Sequence, residues 1–240
     1  MNKGTGWTGF KFLGFNWPKN IKSLSLIELM ISIMVVGIMF LSFFSLETFS
    51  YKQVLSADRR TKVQNSLAYC LEHMSKYVQL ANGNFNNFPN NLPIKLYPAV
   101  TPTGFQVRFD CNSRQTPSDL TDDVWIHYTL VGNKLWVGCK NNLDVDCAGS
   151  CSKFAPGEEL LSYQIVAGFS NTAPAEISKD PTDPTTKGFY VVVDPLGNYV
   201  DVGLVGRYYP AQTPTRLTRL ATNPQVAIKT RLTCNSASTN

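Results

Sequence analysis

Histidine is nearly absent from this chain of 240 residues: only His73 and His127 occur. Two imidazoles are too few for a histidine-rich metal site, and no H-E-x-x-H, G-x-S-x-G or Walker-type glycine loop is present. Ser150-Cys151-Ser152-Lys153 matches S-x-x-K by spacing, but the partner motifs are missing and the stretch sits among cysteines. The chain does not read as an enzyme. Charge is scarce as well, at 16% against 43% hydrophobic residues, which excludes long solvated disorder. Acid is missing from residues 1–23, where Lys3, Lys11, Lys19 and Lys22 give +4. Residues 24–80 hold five basic and four acidic side chains, and residues 81–240 hold thirteen of each. The net charge of +5 is therefore a terminal tag. Nucleic acid is not an expected partner, because no domain carries a basic footprint.

Proline is missing from residues 24–80, and that stretch opens with the longest apolar run in the chain. Residues 24–44 read LSLIELMISIMVVGIMFLSFF, with Glu28 the one charge among them. At about 1.5 Å per residue the run covers roughly 32 Å as a helix, enough for a hydrocarbon core. It exceeds the h-region of a signal peptide, about 7–15 residues, and no small-x-small cleavage site follows it. We expect a retained anchor. Lys19 and Lys22 favour a cytoplasmic leader, although Lys52, Arg59, Arg60 and Lys62 stand on the other side. Six cysteines beyond the run point to an oxidising compartment for the remainder. A carboxylate in such a span marks function or a partner, unless the helix starts a turn later and leaves Glu28 among headgroups.

The segment Ser23-Leu24-Ser25-Leu26-Ile27-Glu28-Leu29-Met30 resembles the processing site of type IV prepilins and pseudopilins. Members of that family have a short basic leader, then a cut before a hydrophobic residue, a polar second residue and a glutamate fifth. Leu24 takes the first mature position, Ser25 the second, Glu28 the fifth, and Gly37 the fourteenth, where glycine is frequent. Two residues depart from the pattern: Ser23 stands where leaders usually end in glycine, and Leu24 where phenylalanine is usual. The resemblance implies cleavage by a prepilin peptidase between Ser23 and Leu24, with N-methylation of Leu24. It also implies that Glu28 neutralises the α-amine of a neighbouring subunit during assembly.

The helical pattern continues past the run. Val63, Leu67, Cys70, Leu71, Met74, Val78 and Ala81 recur at steps of three and four, with polar residues between them. One helix of about 57 residues is predicted, ended by Ala81-Asn82-Gly83-Asn84. A heptad coiled coil is the alternative, but the stripe is broken between Leu46 and Val63. The organisation we expect is a basic leader at 1–23, a transmembrane half-helix at 24–45, an amphipathic half-helix at 46–81 and a β-rich exported head at 82–240. Residues 82–93 are Asn- and Pro-rich and read as loop. Strands are predicted at 104–111, 124–131, 134–139, 160–169, 189–194, 199–205 and 226–233. Gly132-Asn133 reads as a hairpin turn, residues 194–198 as another turn, and 178–187 as a loop. The fold class is α+β: a long N-terminal helix packed on an antiparallel β-rich head.

The order of features is similar to that of W-type minor pilins and J-type minor pseudopilins of type II secretion. The shared outline is a helix ending in an amphipathic stretch around Gln64-Asn65-Ser66-Leu67, Tyr-rich hairpin strands such as Ile126-His127-Tyr128-Thr129-Leu130, and a short basic final strand. This likeness implies an inner-membrane, single-pass protein with a periplasmic head that then moves to a filament tip. Its partners would be other minor and major pilins or pseudopilins.

Cys70, Cys111, Cys139, Cys147, Cys151 and Cys234 are the disulfide candidates, and six cysteines allow fifteen connectivities. A thiolate zinc site is disfavoured by the C-x7-C-x3-C spacing. Asp144 and Asp146 alternate beside Asn141 and Asn142 as a weak calcium candidate, with a solvated turn the plainer reading. No other cofactor is expected. His127 shares a strand face with Trp125 and Thr129 and reads as a packed histidine. The stretch 207–231 has five basic residues and no acid, and reads as a solvated basic face or a contact for an anionic partner.

Overall fold

The computed structural model describes residues 25–83, 92–111, 123–141, 145, 147, 151, 157–172, 177, 183, 185–212 and 223–234. Their fold is α+β, one long helix and two sheets. The chain divides into two compact units, Met1–Phe49 and Ser50–Asn240. Helix α1 (Leu26–Gln79) runs for 54 residues without a proline. Within the first unit its large apolar side chains, from Leu26 to Phe49, are all exposed. This helix is long and apolar enough to cross a membrane.

In the second unit the same helix is amphipathic. Val63, Leu67, Cys70, Met74, Tyr77 and Val78 are buried, the spacing that puts one stripe on one face. The stripe matches the sequence expectation, except that Leu71 sits only at the core's edge. Leu80 N–H bonds to the Tyr77 carbonyl and Ala81 N–H to the Val78 carbonyl, tightening the last turn. Asn82 N–H then donates to the Arg108 carbonyl at 2.9 Å, so the chain leaves the helix by joining a strand.

The first sheet has the order β1-β2-β3-β4-β5. Its strands are β1 (Ile94–Tyr97), β2 (Gly104–Asp110), β3 (Asp123–Val131), β4 (Lys134–Asn141) and β5 (Glu158–Ser162), every neighbour antiparallel. The second sheet has the order β6-β7-β8-β9, from β6 (Phe169–Ser170), β7 (Phe189–Val193), β8 (Tyr199–Arg207) and β9 (Gln225–Thr233). Only β6 and β7 run parallel in it. Gly132 and Asn133 make the expected two-residue hairpin turn between the paired Val131 and Lys134. Between β7 and β8 the Asp194 carboxylate accepts from both the backbone and side-chain N–H groups of Asn198.

One core joins the rear of α1 to the inner faces of both sheets, with Phe105, Ile126, Tyr128, Leu135, Phe189 and Leu204 fully or almost fully buried. Strand alternation explains the choice, since residues two apart share a face. Two differences from the sequence reading stand out. The predicted strand 160–169 is not continuous: β5 stops at Ser162, Ile165 bridges Gly206 of the other sheet, and β6 begins at Phe169. Gly168 has φ +99°, a conformation that side-chain-bearing residues avoid, and the chain changes sheet across this segment. The other difference is β1, hidden from the pattern by Pro93 and Pro98 on either side.

Candidate functional site

The start of α1 is built as a reciprocal cap. Glu28 N–H donates to Ser25 Oγ at 3.2 Å, and Ser25 N–H donates to Glu28 Oε2 at 3.0 Å. This is a capping box, which satisfies two of the backbone donors that a helix start leaves open. It also sets the carboxylate at the positive end of the helix dipole. Sequence reasoning missed this role, although the Ser-x-x-Glu spacing carries it. Three hydroxyls in and just beyond the apolar run are handled locally too: Ser32, Ser42 and Thr48 each donate to the carbonyl four residues back, at 2.8, 2.9 and 2.8 Å. Such back-bonding keeps these three hydroxyl protons from pointing into an apolar surround. Ser23 and Leu24, the expected processing pair, lie outside the described residues, so Glu28 is the member of that group with a described geometry.

Four of the six cysteines close two disulfides, Cys111–Cys151 and Cys139–Cys147, each with Cα atoms 5.4 Å apart. Cys147 N–H also donates to the Cys139 carbonyl at 3.1 Å, and Asn141 N–H to the Val145 carbonyl at 2.8 Å. The remaining two candidates, Cys70 and Cys234, are thiols. Cys70 is a fully buried member of the helix stripe and behaves as a small apolar side chain, its thiol pushed by burial up to about 12. Cys234 Sγ lies 3.5 Å from the Gly197 carbonyl, and burial likewise pushes it to about 12. Asp144 and Asp146 lie outside the described residues. Among the described residues no group of three or more His, Cys, Asp or Glu side chains is placed to hold a metal ion.

Polar contacts tie α1 to the first sheet. The Tyr128 hydroxyl lies 3.1 Å from His73 Nδ1 and 3.3 Å from the His73 carbonyl. Burial lowers the His73 pKa, with Glu159 opposing and Lys76 assisting. At the helix end, Asn82 Nδ2 donates to both oxygens of buried Asp123 at 3.3 Å, and Arg108 Nε lies 3.9 Å from the same carboxylate. Burial lowers the Arg108 pKa while Asp123 opposes it. Neither cluster was visible in the sequence, because its members are far apart along the chain.

The outer face of the first sheet collects cations and rings. Register places Arg108, Trp125 and Lys140 side by side across β2, β3 and β4, and Lys95, Gln106 and His127 in the next row. Lys95 Nζ stands 4.0 Å and Arg108 Cζ 4.7 Å from the Trp125 ring centre. His127 is packed, 1% exposed, with Tyr97 at 5.0 Å between ring centres and Glu158 Oε1 3.3 Å from Nε2. The basic final strand is partly neutralised: Arg231 donates through Nε and Nη2 to the two oxygens of Asp201 at 2.8 and 2.9 Å, holding that carboxyl below its ordinary range. Arg207 Nε donates to Gln225 at 2.6 Å, and Arg216 and Arg219 lie outside the described residues. No family model, curated protein or solved structure matches the chain.

Proposed function

We propose that the chain is a minor, tip-type subunit of a type IV pilus or a type II secretion pseudopilus, with a pilin-like fold. It is made as a prepilin, cut between Ser23 and Leu24 by a prepilin peptidase and methylated on the Leu24 amine. It is held in the inner membrane with its leader cytoplasmic and its head periplasmic, and joins other minor and major subunits to prime the filament. Its work is assembly and presentation, without catalysis. The observation that carries this reading is the division of one helix: apolar and exposed from Leu26 to Phe49, yet with one stripe buried in a disulfide-bonded head from Val63 onward. Such a helix can sit in lipid before assembly and among like helices after it. Glu28, at the head of the apolar stretch, is the group that selects register, because a carboxylate moved into low dielectric needs a cation opposite it.

A second reading has an observation in its favour. The capping box gives Glu28 a use inside its own chain, as an uncleaved, signal-anchored envelope protein with a partner-binding head would need. Two substitutions separate the roles. Glutamine at the same box position still accepts from the N-cap N–H, but carries no charge. On the assembly reading, Glu28→Gln and Glu28→Ala both abolish piliation or secretion in the native host. Full function in Glu28→Gln with loss in Glu28→Ala overturns the ion-pair role and leaves the cap. The N-terminal mass of the protein from its host's membranes decides between the readings: N-methylated Leu24 supports the prepilin, and an intact Met1 refutes it.

A further inference from the structure

The edges of the two sheets differ in length. Strands β1, β5 and β6 end their sheets with four, five and two residues, whereas β9 ends the second sheet with nine. Short edges keep a sheet from pairing with a foreign strand, as do prolines, bulges and charges placed along the edge. Strand β9 has no proline, and its register with β8 runs unbroken from Gln225 opposite Arg207 to Thr233 opposite Tyr199. Among the described residues the backbone from Val226 to Thr233 pairs with β8 alone. In an antiparallel ladder alternate residues turn their N–H and C=O groups to the other side, so β9 offers a row of these groups to one more strand.

The side chains of β9 set what fits that edge. Val226 and Leu232 are buried in the core, and Ile228 in the same row is only partly covered. An added strand with apolar residues on that face would complete the cover. The opposite row holds Lys229, Arg231 and Thr233, all exposed. Asp201 engages Arg231 at 2.8 Å, whereas Lys229 forms no ion pair with a described residue and acts on Asp201 only from farther away. A second copy of β9, laid antiparallel about Thr230, sets Lys229 against Arg231 twice, and like charges directly opposite are destabilising. The same row favours an acidic residue on the incoming strand.

We propose that β9 accepts an extended segment of another protein as a fifth strand of the second sheet. That segment alternates apolar residues, which cover Ile228 and its row, with an acidic residue opposite Lys229. Main-chain hydrogen bonds supply the affinity, and the alternate side chains supply the choice of partner. The edge belongs to the head alone, and its test does not depend on how the helix is processed or assembled.

Fluorescence anisotropy of a labelled peptide, Val-Glu-Val-Glu-Val-Glu-Val with blocked ends, titrated with the full chain in non-ionic detergent, tests the assignment. One comparison peptide carries lysine for every glutamate; another is N-methylated throughout and cannot donate to a strand. Saturable binding of the glutamate peptide is expected, about fivefold tighter than that of the lysine peptide, the size of a cross-strand charge pair. The N-methylated peptide does not bind. Lys229→Glu, an exposed change that leaves near-ultraviolet circular dichroism unaltered, removes or reverses the preference between the charged peptides. Equal binding of the two charged peptides, saturation by the N-methylated one, or an unchanged preference in Lys229→Glu overturns the proposal. So does the absence of saturation in the millimolar range. Peptide affinity that falls as the chain's own concentration rises overturns it too, by assigning the edge to a second copy.

Discussion

The contact between the rear of α1 and β8 rests on the absence of a side chain at Gly206. A Cβ there would lie 2.9 Å from Val63 Cγ1, 3.0 Å from Leu67 Cδ2 and 3.0 Å from the Gln164 carbonyl oxygen. The backbone at Gly206 is not in the left-handed region, so the effect of Gly206→Ala comes from packing alone. Overpacking of this kind costs about 1–3 kcal/mol. Leu67 is 0% exposed, and truncating a fully buried leucine to alanine costs about 2–5 kcal/mol. If helix and strand meet at this point, the two changes compensate: the methyl added by Gly206→Ala enters space that Leu67→Ala vacates, although the contacts with Val63 and Gln164 remain. The double variant should therefore be less destabilised than the two single variants added together, by about 1 kcal/mol. Equilibrium urea unfolding of the full chain in detergent, read by near-ultraviolet circular dichroism with unchanged slopes, measures all four corners of the cycle. Additivity within about 0.5 kcal/mol would refute the packing argument.

The disulfides should rank by the loop that each closes. Cys111→Ser with Cys151→Ser removes a link across 40 residues and should cost about 4 kcal/mol, against about 2.5 kcal/mol for the 8-residue link between Cys139 and Cys147. The same unfolding assay checks the order, which would be reversed if the shorter loop carried more of the head's structure. His73 predicts a pH dependence. Its folded pKa is lowered, chiefly by burial, so the unfolded chain binds its proton first. Its contribution is fully present above the unfolded value of about 6.5 and is lost as pH falls through the folded value. His73→Phe should flatten stability over that window; an unchanged slope would assign it to other groups.

Much of the fold was legible because local patterns and tertiary contacts agree. The proline-free stretch with apolar residues at steps of three and four became α1, and the Val- and Tyr-rich alternating stretches became β2, β3, β4, β7, β8 and β9. The turn at Gly132-Asn133 followed from the twist that tight hairpins require. Failures came where the pattern is too short or serves two surfaces. Ile94 to Tyr97 alternates inward and outward, but four residues between prolines give little signal. Residues 160–169 are apolar enough for one strand, yet they serve two sheets in succession.

The sites divide along the same line. A capping box is local, four residues wide, and can be read by spacing alone once Ser25 and Glu28 are considered as a pair. The cluster of cations and rings on the outer face of the first sheet is not local. Lys95 meets Gln106 because β1 and β2 are antiparallel in that register, and Trp125 meets Lys140 through the register of β3 and β4. A slip of one residue in either pairing would send one side chain of each pair to the opposite face. Register is therefore what brings scattered lysines and rings together on one face, and the apolar inner face enforces it. Ile94, Val107, Ile126 and Cys139 lie side by side in one buried row. Exposing that row would cost each apolar side chain about 1.5–3 kcal/mol. Lys95 and Lys140 are thus held in place by residues on the other side of the sheet, and a core change such as Ile126→Thr should loosen that outer-face cluster as well as the fold.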